Sequence, residues 1–180
     1  MNNTELNFCT PEPADGPALY ELVKRCPPLD TNSVYCNLLQ CSDFAQTSIA
    51  VKSADGHLLG FISGYVPPAR LKTLFIWQVA VAPECRGQQL AKRMLHALVR
   101  RVSANKGIAY LETTITPGNQ ASEALFKGFF NELSAPVETS ILFSKEQHFS
   151  GQHEDEVLYR AGPFIVQQCG TMQSNTTQIH

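Results

Sequence analysis

Residues 73–82 (Thr-Leu-Phe-Ile-Trp-Gln-Val-Ala-Val-Ala) form the stretch that most narrows what this chain can fold into. The run is almost wholly apolar with little alternation, the pattern of a central strand covered on both faces. Pro83 stops it, and a short turn leads into residues 88–103. There Leu90, Met94, Leu95, Leu98, Val99 and Val102 fall on one helical stripe, while Lys92, Arg93, Arg100 and Arg101 lie elsewhere on the cylinder. A buried strand feeding a long amphipathic helix demands a sheet with helices packed on it.

The flanking segments extend that layout. Leu6 to Cys9 reads as a short strand, and Asp15 is placed to cap a helix carrying Leu19, Leu22 and Val23, which the pair Pro27 and Pro28 ends. Asp30, Thr31, Asn32 and Ser33 offer alternative caps for a second helix with Val34, Tyr35, Leu38 and Leu39 as its apolar face. Residues 47–53 and 58–66 make a hairpin about Asp55-Gly56. Residues 108–116 are rich in Ile and Thr and read as a strand, Asn119 caps a helix through Phe130, and two apolar segments near Ile141 and Val157 supply the last strands. The expected class is α+β, with a central mixed sheet flanked by helices.

Composition bounds the function. The chain has 180 residues, 43% of them hydrophobic, which suits a single domain over residues 1–166 followed by a polar, poorly ordered tail over 167–180. Its net charge of -2 offers no field for a nucleic acid. No apolar run nears the ~20 residues that span a bilayer, and the start lacks a signal peptide's pattern, so a cytoplasmic protein is expected. The six cysteines include no CxxC pair and are expected to stay thiols; Cys36, Cys41 and His57 lack the paired spacing of a zinc site, so no metal is expected.

Chemistry concentrates where the central strand meets the long helix. Unpaired amides at a helix start, together with the helix dipole, favour an anion. Arg86 adds a cation and Gly87 lets a ligand approach the backbone, so a phosphate or pyrophosphate fits. Val-Ala-Val-Ala-Pro followed by this Arg-Gly loop resembles the acetyl-CoA-binding motif of the GNAT superfamily of N-acetyltransferases, Q/R-x-x-G-x-G/A, with Arg86 at its first position and Ala91 at its last. Gln89 departs, standing where the family usually has glycine. The resemblance implies that Arg86, Gly87, Gln88, Gln89, Leu90 and Ala91 cradle the pyrophosphate of acetyl-CoA, a cosubstrate, and that Val79 and Val81 align its pantetheine arm. Asn119, Ser122, Leu125 and Phe126 resemble the family's N-x-x-A-x-x-L-Y pattern. Phe126 replaces the tyrosine that protonates the departing thiolate in many members, so that acid does not carry over, and Leu125, Phe126, Phe129 and Phe130 also read as plain core.

Further blocks narrow the resemblance. The run from Pro27 to Leu39, then Ser63-Gly64-Tyr65 with Pro67-Pro68, Trp77 to Val81, Leu111 to Pro117 and His153 to Glu156 are similar, in order, to the diaminobutyrate acetyltransferases of ectoine biosynthesis. The resemblance implies acetyl transfer to the 4-amino group of L-2,4-diaminobutyrate by direct attack in a ternary complex, and a homodimer. An amine of lysine-like pKa, ~10.4, must lose a proton before it attacks. Glu112 is favoured as the base or water-positioning carboxylate, and the Val79 N–H as the oxyanion donor. Asp30, Tyr35, Trp77, Glu112, Thr113, Thr114 and His153 are the candidates for holding the acceptor. Each has a structural alternative: Asp30 as a helix cap, Trp77 and Tyr35 as packing, Glu112 as the partner of an arginine, His153 as part of a solvated acidic loop. A GNAT enzyme for another amine and an acyl-CoA-binding sensor without turnover stay open.

Overall fold

Residues 5–166 are described in a computed structural model; the tail expected over 167–180 lies outside them. Twelve main elements follow the expected order: β1 (Asn7–Cys9), α1 (Gly16–Lys24), α2 (Val34–Cys41), β2 (Ile49–Lys52), β3 (Leu58–Tyr65), β4 (Thr73–Val81), α3 (Leu90–Lys106), β5 (Tyr110–Ile115), α4 (Gln120–Glu132), β6 (Val137–Phe143), α5 (Lys145–Phe149) and β7 (Glu156–Ala161). One sheet runs β1-β2-β3-β4-β5-β7-β6; β4 and β5 pair in parallel and every other neighbouring pair is antiparallel.

Helix α3 packs as its stripe requires: Leu90, Met94, Leu95, Leu98, Val99 and Val102 are all buried, in one core with Leu74, Ile76, Leu111, Ile115, Phe129 and Phe130. Each such side chain stabilises the fold by about 2 kcal/mol relative to exposure. A second core on the opposite face of the sheet joins Leu19, Leu22 and Val23 of α1 to Phe61, Ala80 and Ala82. Asn119 caps α4 by accepting from the Ser122 N–H at 3.1 Å.

Several expectations are corrected. Asp15 does not cap α1 with its side chain; its Oδ2 accepts from the Glu12 N–H at 3.0 Å and its Oδ1 pairs with Lys52 at 2.7 Å, closing the turn before the helix. Of the four possible caps for α2, Ser33 serves, accepting from the Cys36 N–H. The buried face of α2 is Asn37, Gln40 and Cys41, while Val34 and Tyr35 stand 42% and 70% exposed. Helix α3 starts at Leu90 because Gln89 adopts a left-handed conformation, φ 56°. The polar stretch between the last two strands contains α5. Finally, β4 is covered on both faces only from Thr73 to Ile76; Trp77 is 42% exposed, and Gln78, Val79 and Val81 are half-buried.

That last difference has a topological cause. The parallel ladder pairs Thr73 to Ile76 with Tyr110 to Thr113 and stops, while β4 continues to Val81 and β5 to Ile115. Beyond Ile76 the two strands part and leave a cleft in the middle of the sheet. At the same level β3 pairs Gly64 with Ile76 and Ser63 with Gln78, so Trp77 is an extra residue, a β-bulge. The bulge reverses the alternation: Leu74 and Ile76, then Val79 and Val81, face the α3 core, while Ala80 and Ala82 face the α1 core. Gly64 permits it, since a Cβ there would sit 2.8 Å from the Thr47 carbonyl and 2.9 Å from that of Phe75.

Candidate active site

One wall of the cleft is the open edge of β4. The Ala82 N–H donates to the Leu59 carbonyl at 2.8 Å. Backbone groups alternate sides along a strand, so Ala80 and Ala82 bond toward β3 while Val79 and Val81 direct theirs into the cleft. The Cys26 thiol already donates to the Val81 carbonyl at 3.2 Å. The N–H groups of Val79 and Val81 are therefore the ladder positions open to a ligand.

At the C-terminal end of that edge, a 3-10 turn at Pro83–Cys85 leads into the Arg-Gly loop. The Arg86 N–H is spent on the Pro83 carbonyl at 3.3 Å, and the first helical bond is Arg93 N–H to the Gln89 carbonyl at 3.0 Å. Between them the amides of Gly87, Gln88, Gln89, Leu90 and Ala91 have no backbone acceptor among the described residues. Such a run at a helix N-terminus forms an anion-binding nest. Gly87 at φ 76° and Gln89 at φ 56° turn the chain, and nothing lies within 4 Å of where a Gly87 Cβ would stand. The glycine usual at this position in the family thus acquires a reason: the position takes a conformation that glycine adopts freely, and Gln89 adopts it with a side chain. The Arg86 amide is the one member of the expected cradle turned elsewhere, leaving its guanidinium as the contribution of that residue. Phosphates of a coenzyme A group fit this loop, and the Asn119 cap, which uses only the amide oxygen, leaves its donors for the same ligand.

The opposite wall of the cleft presents polar side chains on the α1–α2 face of the sheet. Register places Glu112 opposite Arg160, Thr114 opposite Leu158, and Glu156 at the start of β7 beside Thr116, whose hydroxyl donates to Glu156 Oε1 at 2.9 Å. Thr113 shares the other face with Leu111 and Ile115 on the α3 side and is buried there, away from Glu112 and Thr114. The Glu112 side chain is 1% exposed and is not a free carboxylate. Its Oε2 accepts from Arg70 Nε at 3.2 Å and Nη2 at 2.9 Å, and its Oε1 accepts from Arg160 Nη1. The structural alternative foreseen for Glu112, an arginine partner, is what the geometry contains, twice over; three of the four acceptor sites of this buried carboxylate are taken by guanidiniums. Tyr65 adjoins this cluster: burial pushes its phenol up, Arg70 pulls it down and Glu112 raises it.

The loop between α1 and α2 closes over the bulge. Gln78 Nε2 donates to the Asp30 carbonyl at 2.8 Å, and Asn37 Nδ2 donates to the Thr31 carbonyl at 3.4 Å. Asp30 is thereby tied to Gln78, the residue after the bulge, while its carboxylate accepts the Asn32 N–H. Tyr35 stays on the open face of α2. His153 lies half-exposed in the loop before β7, with its Nδ1 2.7 Å from the Glu154 carbonyl and its Nε2 3.9 Å from Glu156. Phe126 is 3% exposed and packs on Phe130, 5.9 Å between rings, as core.

Sequence reasoning did not single out Arg70 or Arg160, and it named Tyr65 and Glu156 only as members of longer blocks. An arginine two residues after Pro68, in a turn returning to the central strand, was the available signal for Arg70. Arg160 needed the β5–β7 register, which no local pattern carries. Among the described residues no group of three His, Cys, Asp or Glu is arranged to hold a metal, and no helix is long and apolar enough to cross a membrane.

Comparison with known proteins agrees with this geometry. Residues 16–129 match the acetyltransferase (GNAT) family. The L-2,4-diaminobutyric acid acetyltransferase of Methylotuvimicrobium alcaliphilum is 50% identical over 153 residues, 85% of this chain and 88% of that one. Its namesake from Streptomyces avermitilis is 46% identical over 158 residues, 88% of each. Among solved structures, the diaminobutyrate acetyltransferase EctA from Paenibacillus lautus, in complex with its substrate L-2,4-diaminobutyric acid and coenzyme A, superposes with a TM-score of 0.83 at 38% identity, covering 92% of this chain and 99% of that one. With the split central sheet, the free amides of the Arg-Gly loop and these likenesses, the chain belongs to the acetyltransferase (GNAT) family.

Proposed function

We propose that this protein transfers the acetyl group of acetyl-CoA to the 4-amino group of L-2,4-diaminobutyrate, a step of ectoine biosynthesis, by direct attack in a ternary complex. The observation that carries the reading is the cleft itself. One end is a row of free amides suited to a pyrophosphate, and the α1–α2 face beyond its apex carries both arginines and carboxylates, as an acceptor that is itself an amino acid requires. The names of the relatives select diaminobutyrate among such acceptors.

The roles follow from position. The amides of Gly87, Gln88, Gln89, Leu90 and Ala91, with the Arg86 guanidinium, hold the pyrophosphate; Val79, Val81 and Asn119 align the rest of the cosubstrate. When bound, acetyl-CoA supplies the activated acyl group. The Val79 N–H, pointing into the cleft, is the donor for the oxygen that gains charge during attack. Asp30, Tyr35, Trp77, Thr114 and His153 surround the acceptor, Trp77 offering its face to the aliphatic chain or an ammonium. The attacking amine must shed a proton, and Glu156, which no lysine or arginine neutralises among the described residues, is a carboxylate on the β5–β7 side of this face able to take it directly or through water. Glu112 contributes by organising the arginines. We also infer a cytoplasmic homodimer; the exposed Val137, Ile141 and Phe143 along β6 support a covered face, and sedimentation equilibrium tests it.

The test follows thiol release from acetyl-CoA with diaminobutyrate, 2,3-diaminopropionate, ornithine, lysine and spermidine in parallel. Rapid release with diaminobutyrate alone, and a product acetylated at the 4-amino group, is expected. Faster release with any of the other amines refutes the assigned acceptor.

A further inference from the structure

We infer that Arg70 receives the carboxylate of the acceptor and that Glu112 is a positioning residue which holds Arg70 ready for it. The inference rests on the amino-acid acceptor proposed above and assigns the residue that distinguishes it from a simple diamine.

The charges do not cancel. Two guanidiniums, each permanently protonated, share one carboxylate, so the cluster of Arg70, Glu112 and Arg160 holds one surplus positive charge around a side chain only 1% exposed. A partly desolvated cation without a full partner favours an incoming anion. The two arginines are not equivalent. Arg160 lies with its guanidinium carbon 4.0 Å above the Tyr110 ring and has Nη1 directed to Glu112 and to the Thr73 hydroxyl at 3.5 Å; its side chain is 29% exposed. Arg70 meets Glu112 side-on through Nε and Nη2 at a single oxygen, and its side chain is 43% exposed. Of the five N–H donors of an arginine, that contact uses two. The rest form an open fork, the shape that takes a carboxylate by two parallel hydrogen bonds.

Position completes the case. Glu112 pairs with Phe75, one step before Ile76 and Thr113, where β4 and β5 separate. The Arg70 guanidinium therefore stands at the apex of the cleft on the acceptor face, next to Tyr65. Glu156 lies on the same face four positions further along the β5 register, roughly 13 Å at ~3.3 Å per residue. A cation at one end and a carboxylate at the other orient a zwitterion, acid group toward Arg70 and amine toward Glu156.

The experiment compares diaminobutyrate with 1,3-diaminopropane, the same chain without its carboxylate, on the wild type, Arg70→Gln and Arg70→Lys, with thiol release as readout and melting temperature as the check on folding. The wild type is expected to favour diaminobutyrate by about 100-fold or more in kcat/KM. Arg70→Gln is expected to lose roughly 10- to 100-fold on diaminobutyrate, mainly in KM, while changing diaminopropane by less than about threefold. Arg70→Lys restores part of the preference. Equal losses on both amines, or a preference for diaminobutyrate that survives Arg70→Gln, would overturn the assignment and leave Arg70 a tie between the β3–β4 turn and β5. A wild type that acetylates neither amine, but does acetylate another, refutes the acceptor reading instead and takes this assignment with it.

Discussion

Gln89 at φ 56° and Gly87 at φ 76° sit two residues apart in the phosphate loop, one with a side chain and one without, and the pair yields a reciprocal prediction. A non-glycine residue in the left-handed region costs about 1–2 kcal/mol. Glycine escapes that cost but gives the unfolded chain extra freedom, which offsets about 0.4–1 kcal/mol of the benefit. Gln89→Gly should therefore stabilise the fold by about 1 kcal/mol, and Gly87→Ala should destabilise it by the same amount. Since a Cβ at Gly87 meets nothing within 4 Å, its cost is conformational alone. For a chain of this size 1 kcal/mol moves the melting temperature by roughly 2–4 °C. Thermal unfolding of the ligand-free protein should show Gln89→Gly melting higher and Gly87→Ala lower by that amount, with the double variant near the wild type. Coenzyme A affinity, read by calorimetry, should change less than about threefold in Gln89→Gly, because the amide remains. A lower melting temperature for Gln89→Gly, or a higher one for Gly87→Ala, would refute the loop conformation and the reason given for the glycine usual at position 89.

Other perturbations test separate parts of the structure. Glu112→Ala leaves two guanidiniums facing each other and should cost about 3 kcal/mol in urea unfolding; a loss under 1 kcal/mol would mean the cluster is not formed. Arg86→Ala should weaken coenzyme A binding roughly tenfold by removing a charge-assisted contact, without moving the melting temperature of the free protein. Phe126→Tyr places a hydroxyl in a position 3% exposed and should destabilise by about 1–3 kcal/mol without raising kcat; a gain in kcat would show that the thiolate lacks an acid. Burial pushes the Cys41 thiol from 9.0 up to about 12. The fold thus favours the neutral thiol, so its stability contribution is complete below about pH 9 and is lost as pH climbs toward 12. Cys41→Ala should flatten that alkaline decline in urea midpoints, and an unchanged slope would exclude Cys41 as its source.

What was legible in the sequence was legible for local reasons. The six buried residues of α3 are the six on its predicted stripe, because one helix face against one sheet is a pattern contained in the helix. The hairpin at Asp55-Gly56 and the Asn119 cap are likewise set by neighbours a few positions away. The bulge at Trp77 was hidden because it is a mismatch between two strands, made possible by the missing side chain of Gly64 on the partner. The face of α2 was misread because Asn37 and Gln40 are buried by α1 and the loop they pack on, against their own polarity. Glu112 was found as a residue but its company was not, since Arg70 and Arg160 lie 42 and 48 positions away.

Among the described residues, four residue pairs along β4 and β5 are the only ladder between two antiparallel ribbons, β1 to β4 on one side and β5, β7 and β6 on the other. Each ribbon closes mostly through contacts near in sequence, whereas the parallel seam must wait for α3 to be laid down between its strands. The seam is accordingly the line along which the native protein should open first in hydrogen exchange, with protection at Thr73 to Ile76 below that inside each ribbon. A cosubstrate lodged just beyond the last rung touches both ribbons at once. Its binding should raise protection along the seam more than elsewhere, so that the cleft built to hold the ligand is also the joint the ligand fastens.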